Sequence, residues 1–290
     1  MNFDKKTYEN PIQKRVLAVN DLSCFGKCSL TVAFPIISAE DVEVVTLPTA
    51  LLSTHTGGFE GYHVRVLTED MRAILAHWRR EGIKFDGLYT GYMCGTEQID
   101  IALEIAADFL TDDRFILVDP VMGDGGRLYP AFTAEYARRM RELCAAADVI
   151  TPNITEAAFL TDMTVDEIEI ADGGIDICFE RLFALGCRKA VITGVQTPEM
   201  RVKSQIGYVG AEQGSDARVV EVYPYVDAFL HGCGDVFASK LCACLTSGGE
   251  FLPSVSVAAQ FTENSILRAV DVHPAHWYGL PFEAELYGES

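Results

Sequence analysis

The stretch from His231 to Lys240 reads HGCGDVFASK and places two glycines and a carboxylate where a loop becomes a helix. Glycine allows successive backbone N–H groups to turn towards one point, and a helix N-terminus adds about half a positive charge there. Such a site suits an anion whose charge grows during a reaction, and Asp235 is placed to take a proton from the attacking group. An Asp in the first helical turn also often only caps the helix. The stretch therefore indicates phosphoryl transfer but leaves the capping interpretation open.

The charge balance limits the partners of the chain. It has 290 residues, of which 42 are acidic and 23 basic, giving a formal net charge of −19. Polyanion-binding surfaces need clustered Lys and Arg, so this balance argues against nucleic acid and anionic membranes. An anionic nucleotide would instead be held by backbone N–H groups, helix N-termini and Mg²⁺.

The cysteines and the N-terminus predict a cytoplasmic protein. Nine cysteines, an odd number without paired C-x-x-C spacing, are typical of a reducing compartment. Cys24 with Cys28, and Cys242 with Cys244, have spacings that zinc ligands can have, but no His cluster accompanies them. Residues 1–14 are polar and charged, which predicts a flexible lead-in and neither a signal peptide nor a membrane anchor.

Short β-branched runs alternate with longer helical patterns, which predicts parallel strands joined by crossover helices. Strands are predicted at residues 15–20, 42–48, 87–93, 115–121, 149–153 and 189–194. Helices are predicted at residues 68–81, 97–110, 133–146 and 176–185. An antiparallel hairpin of residues 205–210 and 218–222 follows at the sheet edge, and then helices at 235–246 and 254–270. The absence of a linker or repeat predicts one domain over residues 15–290.

Polar and glycine residues follow six of these strands. They lie at residues 20–23, 53–58, 91–92, 119–126, 151–156 and 193–194. Ligands of open parallel sheets bind beyond the carboxyl ends of the strands, where such loops converge. We therefore expect one site at this edge of the sheet.

Together these segments resemble the pyridoxal kinases of the ribokinase superfamily over residues 15–270. The most specific segments are STHTG at 53–57, TGY at 90–92, DPVMGD at 119–124, ITPN at 150–153 with Glu156, and GCGD at 232–235. The resemblance implies a three-layer α/β/α ribokinase-like fold with a mostly parallel central sheet and a small edge hairpin. It also implies a homodimer that uses ATP and Mg²⁺, with a monovalent cation left open, to phosphorylate the 5′-hydroxymethyl group of a vitamin B6 vitamer.

The resemblance assigns roles at the phosphoryl end of this site. Asp235 looks like the general base, and the backbone N–H groups of Gly232, Cys233 and Gly234 look like the anion hole. Metal-site residues are implied at Asp119, Asp124, Thr151 and Glu156, and ATP-binding residues at Asp119, Asn153, Glu156, Thr193 and Gly194. The alternative is that the 119–120 and 151–153 segments are only strand-ending turns and that Glu156 only supports a helix N-terminus.

The resemblance also implies a vitamer pocket and an adenine site. Substrate-binding residues are implied at Asp21, Ser23, His55, Thr56 and Tyr92. A ring can stack on a flat heteroaromatic substrate while hydroxyl and carboxylate groups bind its heteroatoms. A lone His or Tyr in such a loop can equally be a satisfied structural residue. The adenine is expected between the loop at 223–228 and the helix at 254–270.

Two features of the chain differ from the family pattern. Cys233 stands where many members have Thr or Val, and a thiolate would be favoured at a helix N-terminus, which raises a nucleophile hypothesis. The related hydroxymethylpyrimidine kinases share the leading His231 but carry Cys where this chain has Asp235. The loop at 124–127 is short, so Arg127 and Tyr129 cover either the phosphates or only the loop itself.

Three other functions remain open from the sequence. The first is a hydroxymethylpyrimidine kinase of thiamine synthesis, against which His55, Thr56, Gly57 and Asp235 count. The second is a vitamer-binding protein without catalysis, against which the acidic residues count. The third is a nicotinamide dehydrogenase, but residues 20–28 stand where that class has G-x-G-x-x-G.

Overall fold

The computed structural model describes residues 13–228, 230–272 and 276–287. Its strands are β1 Arg15–Ser23, β2 Glu43–Leu52, β3 Val64–Val66, β4 Phe85–Thr90, β5 Leu110–Val118, β6 Gly123–Asp124, β7 Arg127–Leu128, β8 Val149–Ile150, β9 Lys189–Val195, β10 Gln205–Glu212 and β11 Arg218–Pro224. Its α-helices are α1 Leu30–Ser38, α2 Thr68–Glu81, α3 Thr96–Asp108, α4 Ala134–Ala145, α5 Ile154–Thr161, α6 Val165–Glu169, α7 Gly174–Leu185, α8 Pro198–Val202, α9 Cys233–Thr246 and α10 Phe251–Val272. A 3₁₀-helix spans Phe282–Tyr287.

One mixed sheet of nine strands organises the described residues, in the order β11-β10-β9-β8-β5-β4-β1-β2-β3. The six central strands from β9 to β2 run parallel to their neighbours. Antiparallel strands flank them, with β10 and β11 at one edge and β3 at the other. The carboxyl ends of six strands therefore meet along one side of the sheet.

Side chains that alternate along the central strands build two apolar layers. In β1, Leu17 and Val19 pack into a core with α2, α3, α4, α5 and α7. Val16 and Ala18 face the opposite side and pack with α1, α9 and α10. Because successive side chains of a strand point to opposite faces, each central strand contributes to both cores. This confirms the predicted three-layer α/β/α fold with its edge hairpin.

The predicted elements are confirmed in type, and several bounds differ. Leu110 was predicted to end a helix, but it begins β5, where it pairs with Phe85 of β4. β8 ends at Ile150, earlier than residue 153, because the chain turns there into α5. α1 was not predicted, since its sequence LTVAFPIIS is apolar nearly throughout and has Pro35 inside the helix. The short β6–β7 hairpin, β3, α5, α6 and α8 were also not predicted.

Residues 1–12 of the predicted lead-in and Pro274 of the tail lie outside the described residues. Within the described ranges, we find no helix with the length and apolarity that a bilayer crossing requires.

Candidate active site

The glycine loop ends directly on the N-terminus of α9. Gly232 is the N-cap residue, with φ 82°, and its carbonyl accepts the N–H of Val236 at 2.9 Å. A Cβ atom at this position would lie 2.3 Å from the carbonyl oxygen of Lys27, so only glycine fits. The first N–H groups of an α-helix have no partner within the helix. The N–H groups of the 232–234 backbone and the positive end of the helix dipole therefore lie where the anion hole is predicted.

Asp235 lies in the first turn of α9 and is partly buried. Burial and the negative charge of Asp21 raise the pKa of its carboxyl, which has a net value of about 7. A hydrogen bond from the Ser29 backbone and the nearby Asn20 amide work in the opposite direction and lower the pKa. A carboxyl with this pKa loses its proton near neutral pH, which suits a general base better than an unperturbed carboxylate does.

Asp119 and Glu156 extend this acidic cluster at the ends of β5 and β8. Both are buried, and burial raises the pKa of each, that of Glu156 to about 8. The charges of Glu156 and Asp235 raise the pKa of Asp119 as well. Within the described residues, neither these two carboxylates nor Asp235 pairs with a Lys, Arg or His. No basic side chain therefore compensates the charge that these carboxyls acquire when they ionise.

Glu156 and Asn153 also form the capping box that starts α5. The Asn153 Oδ1 accepts the Glu156 N–H at 2.9 Å, and the Glu156 Oε2 accepts the Asn153 N–H at 2.9 Å. Glu156 Oε1 accepts the N–H of Met122 at 3.0 Å, and Asn153 Nδ2 donates to the carbonyl of Gly123 at 2.8 Å. The capping interpretation of these residues is therefore correct, and it also fixes the loop that follows Asp119.

The next loop residues are more exposed. Asp124 is exposed and accepts the N–H of Gly125 at 2.7 Å, while Gly126 donates to the Thr155 hydroxyl at 2.9 Å. Arg127 is exposed, and Tyr129 is partly exposed with its pKa raised by burial. The β6–β7 hairpin therefore lies at the edge of the acidic cluster of Asp119, Glu156 and Asp235 and not inside it.

The donor atoms fit a magnesium ion that takes few protein ligands. No group of three or more His, Cys, Asp or Glu side chains in the described ranges is arranged to enclose a metal. Mg²⁺ commonly uses one or two carboxylates, with water and phosphate oxygens completing its shell. Asp119 has a buried carboxyl without a basic partner near the α9 N-terminus, and the buried hydroxyl of Thr151 lies beside it, close enough to lower its pKa. These two groups fit that requirement best.

Asp21 lies near enough to Asp235 for its charge to raise the pKa of that carboxyl, and it is almost completely buried. Its Oδ2 accepts the Ser23 hydroxyl at 2.9 Å, and its Oδ1 accepts the hydroxyl of Ser29. Burial raises the pKa of Asp21, and the two hydroxyl donors lower it. Tyr92 follows β4 beside this group, with its N–H bound to the Asn20 Oδ1 at 2.7 Å. The predicted residues Asp21, Ser23 and Tyr92 are thus brought together.

His55 is buried, and both of its ring nitrogens are already used. Its Nδ1 accepts the N–H of Gly57 at 3.2 Å, so Nε2 carries the proton and donates to the carbonyl of Tyr278 at 2.9 Å. Burial lowers the pKa of His55, which keeps the ring neutral. The ring can therefore offer a face to a substrate but no free nitrogen. Thr56, the next predicted residue, is exposed.

The C-terminal segment supplies residues that the sequence prediction missed. The Trp277 ring packs on Phe59 at 4.6 Å between centroids and lies 6.4 Å from both His55 and His231. Burial and His55 lower the pKa of His231 to about 4. The aromatic pair Trp277–Tyr278 near the end of the chain was the available signal.

The surroundings of Cys233 count against the thiolate hypothesis. Burial, followed by the charges of Glu263 and Asp235, raises the pKa of the Cys233 thiol to about 12, so the thiol stays protonated at neutral pH. Burial, followed by the charges of Asp235 and Asp21, likewise raises the pKa of the Cys28 thiol. All nine cysteines are free.

The predicted nucleotide residues lie beside the acidic cluster. Thr193 forms an isolated parallel β-bridge with Asn153, and its N–H donates to the carbonyl of Pro152 at 3.0 Å. Gly194 has φ 74° and open space where a Cβ atom would be. Both lie within β9, which extends to Val195 because β10 pairs with it.

Comparisons with known proteins show which family this chain is similar to. A model of the family described as phosphomethylpyrimidine kinase matches residues 36–279. The pyridoxine kinase of Bacillus subtilis is 32% identical over 205 residues, which cover 69% of this chain and 70% of that protein. The thiamine biosynthetic bifunctional enzyme TH1 of Arabidopsis thaliana is 25% identical over 82% of this chain. The chain spans only 43% of the length of TH1.

Solved structures share the whole fold. A Bacteroides thetaiotaomicron protein, described as a candidate phosphomethylpyrimidine kinase and crystallised with pyridoxal, has a TM-score of 0.89 and 33% identity. That match covers 95% of both chains. The pyridoxal kinase of Lactobacillus plantarum has a TM-score of 0.83 and 30% identity, covering 95% of this chain and 96% of that one.

Proposed function

The chain belongs to the phosphomethylpyrimidine kinase family, and from this premise we propose that it transfers the γ-phosphoryl group of ATP to the 5′-hydroxymethyl group of a vitamin B6 vitamer. Pyridoxal, pyridoxine and pyridoxamine are the candidate substrates, and the product would enter pyridoxal 5′-phosphate salvage. One observation carries the proposal. The carboxyl of Asp235, with a pKa of about 7, lies at a helix N-terminus and is close to both Asp21 and Asp119.

Each group on the two sides of Asp235 has a chemical task. Asp235 accepts the proton of the substrate hydroxyl as that oxygen attacks the phosphorus atom. The N–H groups at the start of α9 stabilise the charge on the transferred group. Asp119, with Thr151 beside it, would hold Mg²⁺, which neutralises phosphate charge when bound. Thr193 and Gly194 border the phosphates, and the adenine lies between the loop after β11 and α10.

A pyridine alcohol suits the pocket that contains Asp21. The Asp21 carboxylate and the Ser23 hydroxyl offer polar atoms to ring substituents, and the rings of His55 and Tyr92 offer faces to a flat heterocycle. The Bacteroides thetaiotaomicron protein was crystallised with pyridoxal, and the Bacillus subtilis relative is a pyridoxine kinase. Both support a B6 vitamer as the substrate.

The main alternative is a hydroxymethylpyrimidine kinase of thiamine synthesis. The name of the family, the TH1 relative and His231 before the glycine loop favour it. Asp235 in place of the Cys of those kinases favours the B6 reaction. A binding protein without catalysis would have no need for a base with a pKa of about 7 beside a buried acidic cluster. The resemblance further supports a cytoplasmic homodimer.

A side-by-side assay separates these functions. Purified protein with Mg·ATP is expected to give a higher kcat/KM for at least one of the three vitamers than for hydroxymethylpyrimidine. Asp235→Asn is expected to lower kcat about 100-fold or more, because loss of a general base typically costs 10²–10⁴. The matched control is Asp216→Asn in the exposed turn between β10 and β11, which should leave kcat unchanged. No turnover of any vitamer, or normal turnover by Asp235→Asn, would contradict the proposal.

A further inference from the structure

Four aromatic rings form a cluster beside the predicted vitamer pocket, and the proposed reaction gives a task to only one of them. The His55 ring lies 4.8 Å from His231 and 4.9 Å from Phe59, as measured between ring centroids. Phe59 in turn lies 4.6 Å from Trp277. These rings, here called the ring cluster, come from the loop after β2, the loop before α9 and the C-terminal segment.

The main chain of the loop after β2 packs directly against two rings of the cluster. A Cβ atom on Gly57 would lie 2.2 Å from Cε1 of His231, and one on Gly58 would lie 2.7 Å from the Trp277 ring. A side chain at either position would have to displace the ring beside it. The predicted substrate-binding loop is therefore in contact with both His231 and the C-terminal segment.

Other contacts attach the C-terminal segment to the rest of the molecule. The carbonyl of Tyr278 accepts the N–H of Lys27 at 3.0 Å, and the Lys27 ammonium pairs with Glu283 at 2.6 Å. Phe282 is buried in an apolar core with residues of α1, α9 and α10. Because these contacts hold the segment without the Trp277 ring, that ring is available for another role.

The connections of the chain place the ring cluster next to both groups on which the proposed reaction depends. The carboxyl ends of β1 and β2 are paired, with Ser23 opposite Leu52, and His55 follows three residues later. His231 directly precedes the glycine loop, and Asp235 follows that loop in the first turn of α9. A vitamer that extends from the Ser23 side of the pocket to Asp235 therefore passes beside these rings.

Trp277 has the largest apolar ring of the cluster, and part of it is open to a ligand. Trp277 and Phe59 are only partly buried, whereas His55 is 5% exposed. Large aromatic side chains bind flat rings through offset or edge contacts that add to the burial of apolar surface. The cluster thus leaves indole surface exposed on the side of the molecule where a flat substrate is expected.

We propose that Trp277 is a further substrate-binding residue, whose indole ring covers one side of the vitamer pocket and contacts the pyridine ring of the bound vitamer. The proposal rests on the proposed function for the identity of the ligand. It goes beyond that function by giving the C-terminal segment a direct part in substrate binding.

The chain contains two tryptophans, so binding can be measured at each one separately. Trp78 lies on α2 and packs on Phe85 at 5.6 Å between centroids. Phe85 begins β4, so Trp78 lies near the amino-terminal ends of the strands, away from the site. Trp78→Leu keeps only Trp277, and Trp277→Leu keeps only Trp78. Pyridoxine is expected to quench the fluorescence of Trp78→Leu saturably and more strongly than that of Trp277→Leu.

Steady-state kinetics test the same contact during turnover. Trp277→Leu is expected to raise the KM for pyridoxine about 3- to 10-fold, the size expected for loss of one aromatic contact, with kcat and the KM for ATP little changed. Trp277→Phe keeps an aromatic ring and should recover most of this loss. Trp78→Leu is the matched control, because it removes a partly buried tryptophan away from the site and should leave the pyridoxine KM unchanged.

Equal quenching in the two single-tryptophan variants, or an unchanged pyridoxine KM in Trp277→Leu, would overturn the proposal. A KM for ATP that rises as much as that for pyridoxine would also overturn it, because it would show a general loss of the active structure. If Trp277→Leu does not fold, Trp78→Leu still reports on Trp277, and a lack of saturable quenching there would overturn the proposal. Quenching of Trp277 without turnover in the wild-type protein would contradict the proposed catalysis and still support the contact.

Discussion

Asp235 combines two opposing influences on one carboxyl. Burial and the charge of Asp21 raise its pKa, while hydrogen bonding from the Ser29 backbone and the Asn20 amide lower it, and the result is a pKa of about 7. A carboxylate with the usual pKa near 4 is a weak base for an alcohol. The raised value makes proton acceptance more favourable while leaving a large part of the protein in the active form at neutral pH.

The pKa of Asp235 predicts the pH dependence of the reaction. A base must be deprotonated to act, so a carboxyl with a pKa of about 7 loses its activity as the pH falls below that value. We expect kcat/KM to fall about tenfold per pH unit well below an apparent pKa of about 7. Steady-state kinetics from pH 5 to 9 with two vitamers of different ionisation would check this. If the acidic side of the pH profile shifts with the vitamer used, or if its apparent pKa lies near 4, the titrating group is not Asp235.

The type of each site residue was easier to predict than its role. Asp21 and Asp235 were predicted from motif positions, and the structure brings both into one group. For His55 the sequence indicated a ring at the pocket, but not that Gly57 and Tyr278 occupy both nitrogens. Tyr278 is more than 200 residues away along the chain, and a contact of that separation depends on the whole fold.

The N-terminus of α9 depends on one glycine. Gly232 combines a left-handed φ with a close approach to the carbonyl of Lys27. Lys27 is held in turn by Tyr278, whose carbonyl accepts its N–H at 3.0 Å. The loop after β1, the start of α9 and the C-terminal segment are therefore packed together, and displacement of any one of them should move the N–H groups at the start of α9.

Gly232→Ala is expected to lower both stability and activity. A Cβ atom 2.3 Å from the Lys27 oxygen forces the backbone to move, in addition to the strain at φ 82°, so we expect a loss of about 2 kcal/mol or more. Gly248→Ala is the matched control, because Gly248 has φ 88° with open space around it, and only the strain of about 1 kcal/mol applies. Urea unfolding and kcat of both variants check this. Equal losses in stability would show that the contact with Lys27 has no effect.

The helices and strands that could be predicted from the sequence are those in which apolar residues recur with a clear period. α2 was predicted at its observed bounds, because polar and apolar residues alternate with a helical period on its exposed surface. α1 packs between the sheet and other helices, and its residues are apolar on most sides. A helix buried on several sides loses the periodic signal that separates it from a strand. The same limit applies to β8, whose two residues are too few to show any period.

The whole molecule is strongly acidic, and the candidate site adds buried carboxyl groups to this excess of acidic residues. The net charge is −19, and Asp119, Glu156 and Asp235 add buried carboxyls without basic partners in the described part of the chain. The folded state binds protons at these groups more tightly than an unfolded chain does, because their pKa values are raised. Stability should therefore decrease as the pH rises from about 4, where the carboxyls of the unfolded chain ionise, and the loss should be complete above about 7 to 8, where the folded carboxyls have ionised as well.

Magnesium should offset this loss, and more strongly at high pH. At about ten times its dissociation constant, an ion that binds only the folded state stabilises it by about 1.4 kcal/mol. We expect Mg²⁺ to raise the melting temperature above the value in NaCl of equal ionic strength, which corrects for general screening of the net charge. The difference should be larger at pH 8 than at pH 6, because protons compete with Mg²⁺ for the same carboxylates. Asp119→Asn should abolish it, while Asp216→Asn in the exposed turn should retain it. A magnesium effect that NaCl reproduces, or one that persists in Asp119→Asn, would place the ion elsewhere on the acidic surface.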